Sequence, residues 1–156
     1  DDAFRQPHSN DGDSPSLLAN FSAVPAEALD WLPPGGNRSI REIFGHAANC
    51  KYVYDDHAFR TATLDWVSEP GWPADFASLT LQELVIWAEE GHRLWLESIA
   101  ALESDAELDR PRRAPWGEHK ATRALVTALL YHDTYHAGEI NHIRALFMEN
   151  DRWAFL

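Results

Sequence analysis

The chain has 156 residues, 45% of them hydrophobic, and carries 13 Lys and Arg against 25 Asp and Glu, a net charge of −12. That is the size of one domain with a single core, spanning 1–156 with 1–13 as an irregular N-terminal segment, and so acidic a chain excludes nucleic acid and anionic membrane surfaces, which demand clustered basic charge. No secretory signal or membrane-spanning apolar run is visible, and the one cysteine, Cys50, permits no internal disulfide, so a cytoplasmic location is expected.

A first helix is predicted to open at Ser14 or its neighbour, with Pro15 in the first helical position, and to carry Leu17, Leu18 and Phe21 until Pro25 interrupts it. A short piece through Trp31 then meets Pro33-Pro34-Gly35-Gly36, a break. Ser39-Ile40-Arg41-Glu42 is a capping box that opens a long helix to about Thr61. Thr80-Leu81-Gln82-Glu83 is a second, opening a helix to about Leu102. The connection between them contains Pro70, Gly71, Trp72 and Pro73 and is longer than an antiparallel hairpin needs, which fits a crossover. A loop with Pro111, Pro115 and Gly117 follows, whose basic residues Arg110, Arg112 and Arg113 read as solvated. The last helix runs from about Thr122 to Glu149. β-branched residues rarely alternate with polar ones, so no strands are expected, and the fold class is all-α, a four-helix bundle with a long crossover loop between the second and third long helices.

Steps of four and three along the last helix place Leu125, Leu129, His132, His136, Glu139, Ile143 and Leu146 on one inward seam. The same walk gives Ile43, His46, Cys50, Val53 and His57 on the second helix, and Leu81, Val85, Ala88, His92, Trp95, Ile99 and Leu102 on the third. Of the eight histidines, His132 and His136 stand one turn apart on one face, close enough for both to reach a single ion through metal–nitrogen bonds of about 2 Å. His46, between Ile43 and Cys50, is the natural third ligand; its alternative is a core histidine satisfied by a carbonyl or a hydroxyl. His57 lies too far along the helix, about 16 Å from His46 at 1.5 Å per residue, and reads as a helix-end residue.

Glu139, one turn beyond His136, reads either as a general base and hydrogen-bond acceptor for a ligand or as a surface glutamate. Cys50, His92, Trp95 and Trp116 are candidate pocket residues; Cys50, one turn from His46, reads either as a fourth soft ligand or as simple packing, and His92 either as pocket lining or as a satisfied core histidine. Asp133 points off the seam and reads as solvated. A di-iron carboxylate site, raised by Glu89-Glu90-Gly91-His92 and Glu139-Ile140-Asn141-His142, lacks the inward glutamates it needs from the other two helices, Glu42 being engaged at a helix start.

Tyr131-His132-Asp133-Thr134-Tyr135-His136-Ala137-Gly138-Glu139-Ile140, together with Ser39-Ile40-Arg41-Glu42-Ile43-Phe44-Gly45-His46 and the Pro115-Trp116-Gly117 turn, resembles the DinB-like superfamily of damage-inducible and YfiT-type four-helix metalloproteins. The resemblance spans Ser14 to Phe147. It implies a three-histidine site of His46, His132 and His136 that holds one divalent ion, nickel or zinc, with iron or manganese not separable by the ligands alone. Relatives often carry Gln where this chain has Glu139. Some are thiol-dependent transferases or isomerases using mycothiol, bacillithiol or glutathione.

Three nitrogen ligands leave a coordination position open, as in catalytic rather than structural sites. The resulting expectation is a metal-dependent hydrolase or a thiol-dependent S-transferase acting on a small-molecule electrophile, and pairing as a homodimer is compatible with the resemblance. The rival is a non-catalytic metal-binding stress-response or partner-binding bundle.

Overall fold

The structure, a computed structural model, describes Phe4, residues 16–67 and residues 71–150. The segment 1–13, apart from Phe4, which is helical and buried, lies outside the described residues, as do Ser14, Pro15 and Pro70. Among those described there are four α-helices: α1 (Leu17–Ser22), α2 (Ile40–Phe59), α3 (Leu81–Ala100) and α4 (Thr122–Phe147). The chain is all-α, as expected, and no described helix is long and apolar enough to cross a membrane.

The helix starts follow from local chemistry. Ser16 caps α1 by accepting from the Ala19 N–H at 3.2 Å. Both capping boxes form. The Ser39 hydroxyl accepts from the Glu42 N–H at 3.3 Å while the Glu42 carboxylate accepts from the Ser39 N–H at 2.7 Å, and Thr80 and Glu83 repeat the exchange at 3.3 and 2.8 Å. Each exchange satisfies two donors that a helix start otherwise leaves bare, worth about 1 kcal/mol for the cap residue. At the break after Trp31, Gly36 donates to the Pro33 carbonyl at 2.8 Å, and Gly35 takes a φ of 77°, which few side-chain-bearing residues adopt.

The residues fall into two compact units, Asp1–Ala47 with Leu130–Leu156, and Ala48–Leu129. In the first, Leu17, Phe21, Ile40, Ile43, Phe44 and Ile140 are buried, and the Phe21 and Phe44 rings stack at 3.6 Å. Its buried Arg41 forms a two-point ion pair with Asp30, at 2.6 and 2.9 Å, which holds the Asp30 carboxyl below the usual range. In the second unit, Cys50, Ala58, Trp95, Ala114, Leu125 and Leu129 make an apolar cluster. The long connection also belongs to this unit, where Trp72 and Phe76 lay their rings against Trp87 of α3, at 6.1 and 5.8 Å.

Two expectations are corrected. The loop before α4 contains a two-stranded antiparallel hairpin, β1 (Pro111–Arg113) and β2 (His119–Ala121), in the register Arg112 opposite Lys120. Three-residue strands are too short to show alternation, and the turn that joins them, with Gly117 at φ 94° donating to Ala114 at 2.9 Å, is their clearest mark. Nor is Arg112 a solvated loop residue: it donates to the Thr122 hydroxyl and to Glu107, at 2.9 and 2.8 Å, and lies 4.5 Å from the centroid of the Phe59 ring.

The second correction concerns the inward face of α4. Leu125 and Leu129 are buried as expected, but farther on the buried residues are Asp133, His136, Ala137, Ile140, Ile143 and Arg144, with Leu146 exposed. The four-and-three walk assumes 3.5 residues per turn, whereas a straight helix has about 3.6, so its inward face slips toward later residues by about 20° per heptad. Asp133 consequently lies inside rather than in solvent. His132 and Glu139 lie at the edge of the buried face, where water can reach them.

Candidate metal centre

The histidines that stand together all lie in the first unit. His46 is two turns into α2, and His132 and His136 are consecutive turns of α4. Their Nε2 atoms converge: that of His132 is 3.0 Å from that of His46 and 3.1 Å from that of His136. Among the described residues, these three form the group able to hold a metal ion, with their ligating atoms all within 4.8 Å of one another. His136 is buried whereas His46 and His132 are not fully so, and the group is open to solvent on their side.

His136 has a defined proton arrangement. Its Nδ1 lies 2.6 Å from a Glu139 carboxylate oxygen, and an ionised carboxylate only accepts, so Nδ1 carries the proton and donates it. In the neutral ring, Nε2 is then a lone pair aimed at His132. Burial, the largest influence, pushes the His136 imidazole below its ordinary value, with Glu139 acting in the opposite sense. Burial also depresses His46, helped by the charges of His136 and Arg38. Both rings are therefore neutral near pH 7, as metal ligation requires.

The donor set fits a divalent ion on this geometry. His132 Nε2 stands at contact distance from two other ring nitrogens, and since a ring nitrogen either donates one proton or accepts, it cannot complement both with a linear hydrogen bond. With metal–nitrogen bonds of about 2.0–2.1 Å, adjacent ligands of one ion stand about 3 Å apart, close to the spacing observed here. A cation on the three lone pairs removes the conflict.

Glu139 is itself held. Its other oxygen accepts from Arg38 Nη2 at 2.8 Å and from the Tyr135 hydroxyl at 3.3 Å. Sequence reasoning placed Glu139 beside His136 but missed both of its partners. Tyr135, one turn back on α4, was within reach of a spacing argument; Arg38 is 101 residues away and carries no local signal.

The remaining candidates belong to the second unit. Cys50 and Trp95 are packed in its apolar cluster. His92 is buried. Trp116 is exposed, with its indole N–H donating to Glu118 at 3.0 Å and its ring edge-on to Tyr54 at 6.0 Å. His57 is the helix-end residue expected, its Nε2 2.8 Å from the Leu64 carbonyl. Of the di-iron candidates, Glu90 is paired with Arg93 at the surface and Glu42 serves its capping box.

A search of the curated proteins found no match. The family model described as DinB superfamily matches residues 14–140, a span that includes His46, His132, His136 and Glu139. With that match covering most of its length, the chain belongs to the DinB superfamily.

Proposed function

We propose that His46, His132 and His136 bind one divalent metal ion, nickel or zinc by preference, and that the protein is an enzyme bringing water or a low-molecular-weight thiol to a small electrophile, as a hydrolase or an S-transferase. The observation that carries this is the convergence of three Nε2 atoms, at 3.0 and 3.1 Å, with one of them oriented by a carboxylate. Three protein ligands are the complement of a catalytic rather than a structural site. When bound, such an ion lowers the pKa of water or a thiol on it, so that a nucleophile forms near neutral pH.

The protein's own part is orientation and proton placement. Glu139 keeps the proton of His136 on Nδ1 and so keeps Nε2 available, the arrangement in which a carboxylate both aims a ligand and raises its basicity. Arg38 and Tyr135 fix the rotamer of Glu139 from its other oxygen. Burial of His136 keeps one side of the group dry, while accessible His46 leaves the other side open to a small molecule.

The test is turnover. Metal-loaded and chelator-stripped protein are given a panel of electrophiles with mycothiol, bacillithiol, glutathione or no thiol. Turnover that depends on the metal supports the enzyme; equal background rates in both forms would leave a metal-binding bundle without catalysis.

A further inference from the structure

Arg38 stands immediately before the Ser39 cap of α2, and its guanidinium is half-exposed. Among the described residues it makes one hydrogen bond, from Nη2 to Glu139, which leaves most of the five N–H donors of an arginine fork uncommitted. The Glu139 carboxylate that it holds is the one whose other oxygen lies 2.6 Å from His136 Nδ1, so the guanidinium stands beside the histidine group and not only beside Glu139.

The charge balance at this spot is opposite to that of the rest of the molecule. The chain as a whole is at −12 and repels anions. At the site, Glu139, the carboxylate hydrogen-bonded to His136, meets the charge of Arg38 and the two that a divalent ion would bring, which leaves a positive surplus for an anion to offset. Arginine is suited to hold it, because its planar fork matches a carboxylate at two points and remains charged at any physiological pH.

We propose that Arg38 is the specificity-determining residue of the metal centre, selecting a small ligand that carries a carboxylate near the atom that meets the metal. This rests on the metal reading of the site. A carboxylate of this kind can belong to the thiol or to the molecule it attacks, and both place the same demand on Arg38. The single bond to Glu139 keeps the guanidinium in place while its other donors serve the ligand.

The experiment uses protein saturated with zinc, with metal content measured first by elemental analysis. Titration calorimetry then compares two pairs that differ in charge but little in size: mercaptoacetate with 2-mercaptoethanol, and acetate with acetamide. The charged member is expected to bind at least about tenfold more tightly in one or both pairs, as loss of a hydrogen bond to a charged group implies. A preference confined to the thiol pair puts the carboxylate on the thiol; one in the acetate pair puts it on the electrophile. Arg38→Gln should abolish the preference with one metal per chain retained, and Arg38→Lys should restore part of it. A parent protein that shows no preference, or a preference that survives in Arg38→Gln, would overturn the proposal and leave the metal site standing. Absence of stoichiometric metal in the parent would instead overturn the metal reading, and this inference with it.

Discussion

Helix α2 carries two polar groups whose environments are opposites, Asp56 near its C-terminal end and His46 near its start. Asp56 is buried, and its two oxygens take four donors: the Thr61 N–H at 3.3 Å, the Thr61 hydroxyl at 2.9 Å, and the N–H groups of Thr63 and Leu64 at 2.6 and 2.8 Å. An acceptor-only group is surrounded by donors, and the loop after α2 is stapled to the helix. His46 instead meets a nitrogen of its own kind, the His132 Nε2 at 3.0 Å. Complementary polar contacts complete a structure from within, which makes Asp56 a structural residue, whereas like groups converging at contact distance are what the proposed metal site requires.

The largest effect that would break this contrast is on metal content. His132→Ala removes the nitrogen that contacts both others and should reduce stoichiometric metal to background by elemental analysis, while the metal-free protein loses no stability in urea. A metal content unchanged from the parent would show that the histidines are not the ligands.

Asp56→Ala should do the reverse, lowering unfolding free energy by about 3 kcal/mol in urea, as expected when buried donors lose a charged acceptor, without altering metal content. A change of a few tenths would mean that water replaces the carboxylate and that the staple is not structural.

A smaller change is expected at Glu139. Glu139→Gln keeps the shape but weakens the hold on the His136 proton, and competitive chelator titration should show metal affinity reduced about 10- to 100-fold, with one ion still bound at saturation. Equal affinity would mean that His136 is aimed by its packing alone.

The smallest effect, a pH dependence, sharpens the comparison because the two groups act in separate windows. At Asp56, burial raises the carboxyl, but the hydrogen bonds from Leu64, Thr61 and Thr63 outweigh it and leave the folded value below the ordinary 3.8. Its contribution is complete above that ordinary value and is lost as pH falls through the folded one. His46 and His136 are also depressed, from 6.5. Below 6.5 the unfolded chain takes up protons that the folded one refuses, so their neutral burial costs metal-free protein stability as the pH falls. Urea midpoints followed downward from neutral pH should show an upper decline that vanishes in His46→Ala/His136→Ala and a lower one that vanishes in Asp56→Ala. A single decline unaffected by either set of substitutions would show that these groups do not govern it.

Much of the molecule was legible without its structure, for reasons of range. Capping boxes at Ser39 and Thr80, the glycine break after Pro34 and the placement of His132 and His136 one turn apart depend on residues within four positions of each other, and short-range backbone chemistry does not wait for the rest of the chain. The seam walk along α2 offered His46 as the third, and the DinB resemblance agreed. The hairpin at Pro111–Ala121 was missed because three-residue strands leave too little pattern to read.

What only the tertiary structure decided is which way a long helix faces and what reaches it from afar. The slow drift of α4 against a fixed heptad buries Asp133, brings His132 and Glu139 to the edge and leaves Leu146 outside, an accumulated rotation that no single residue signals. The hold of Arg38 on Glu139 joins positions 101 apart. Local sequence determined the helices and offered their histidines; packing determined that three of those nitrogens meet, and which arginine stands beside them.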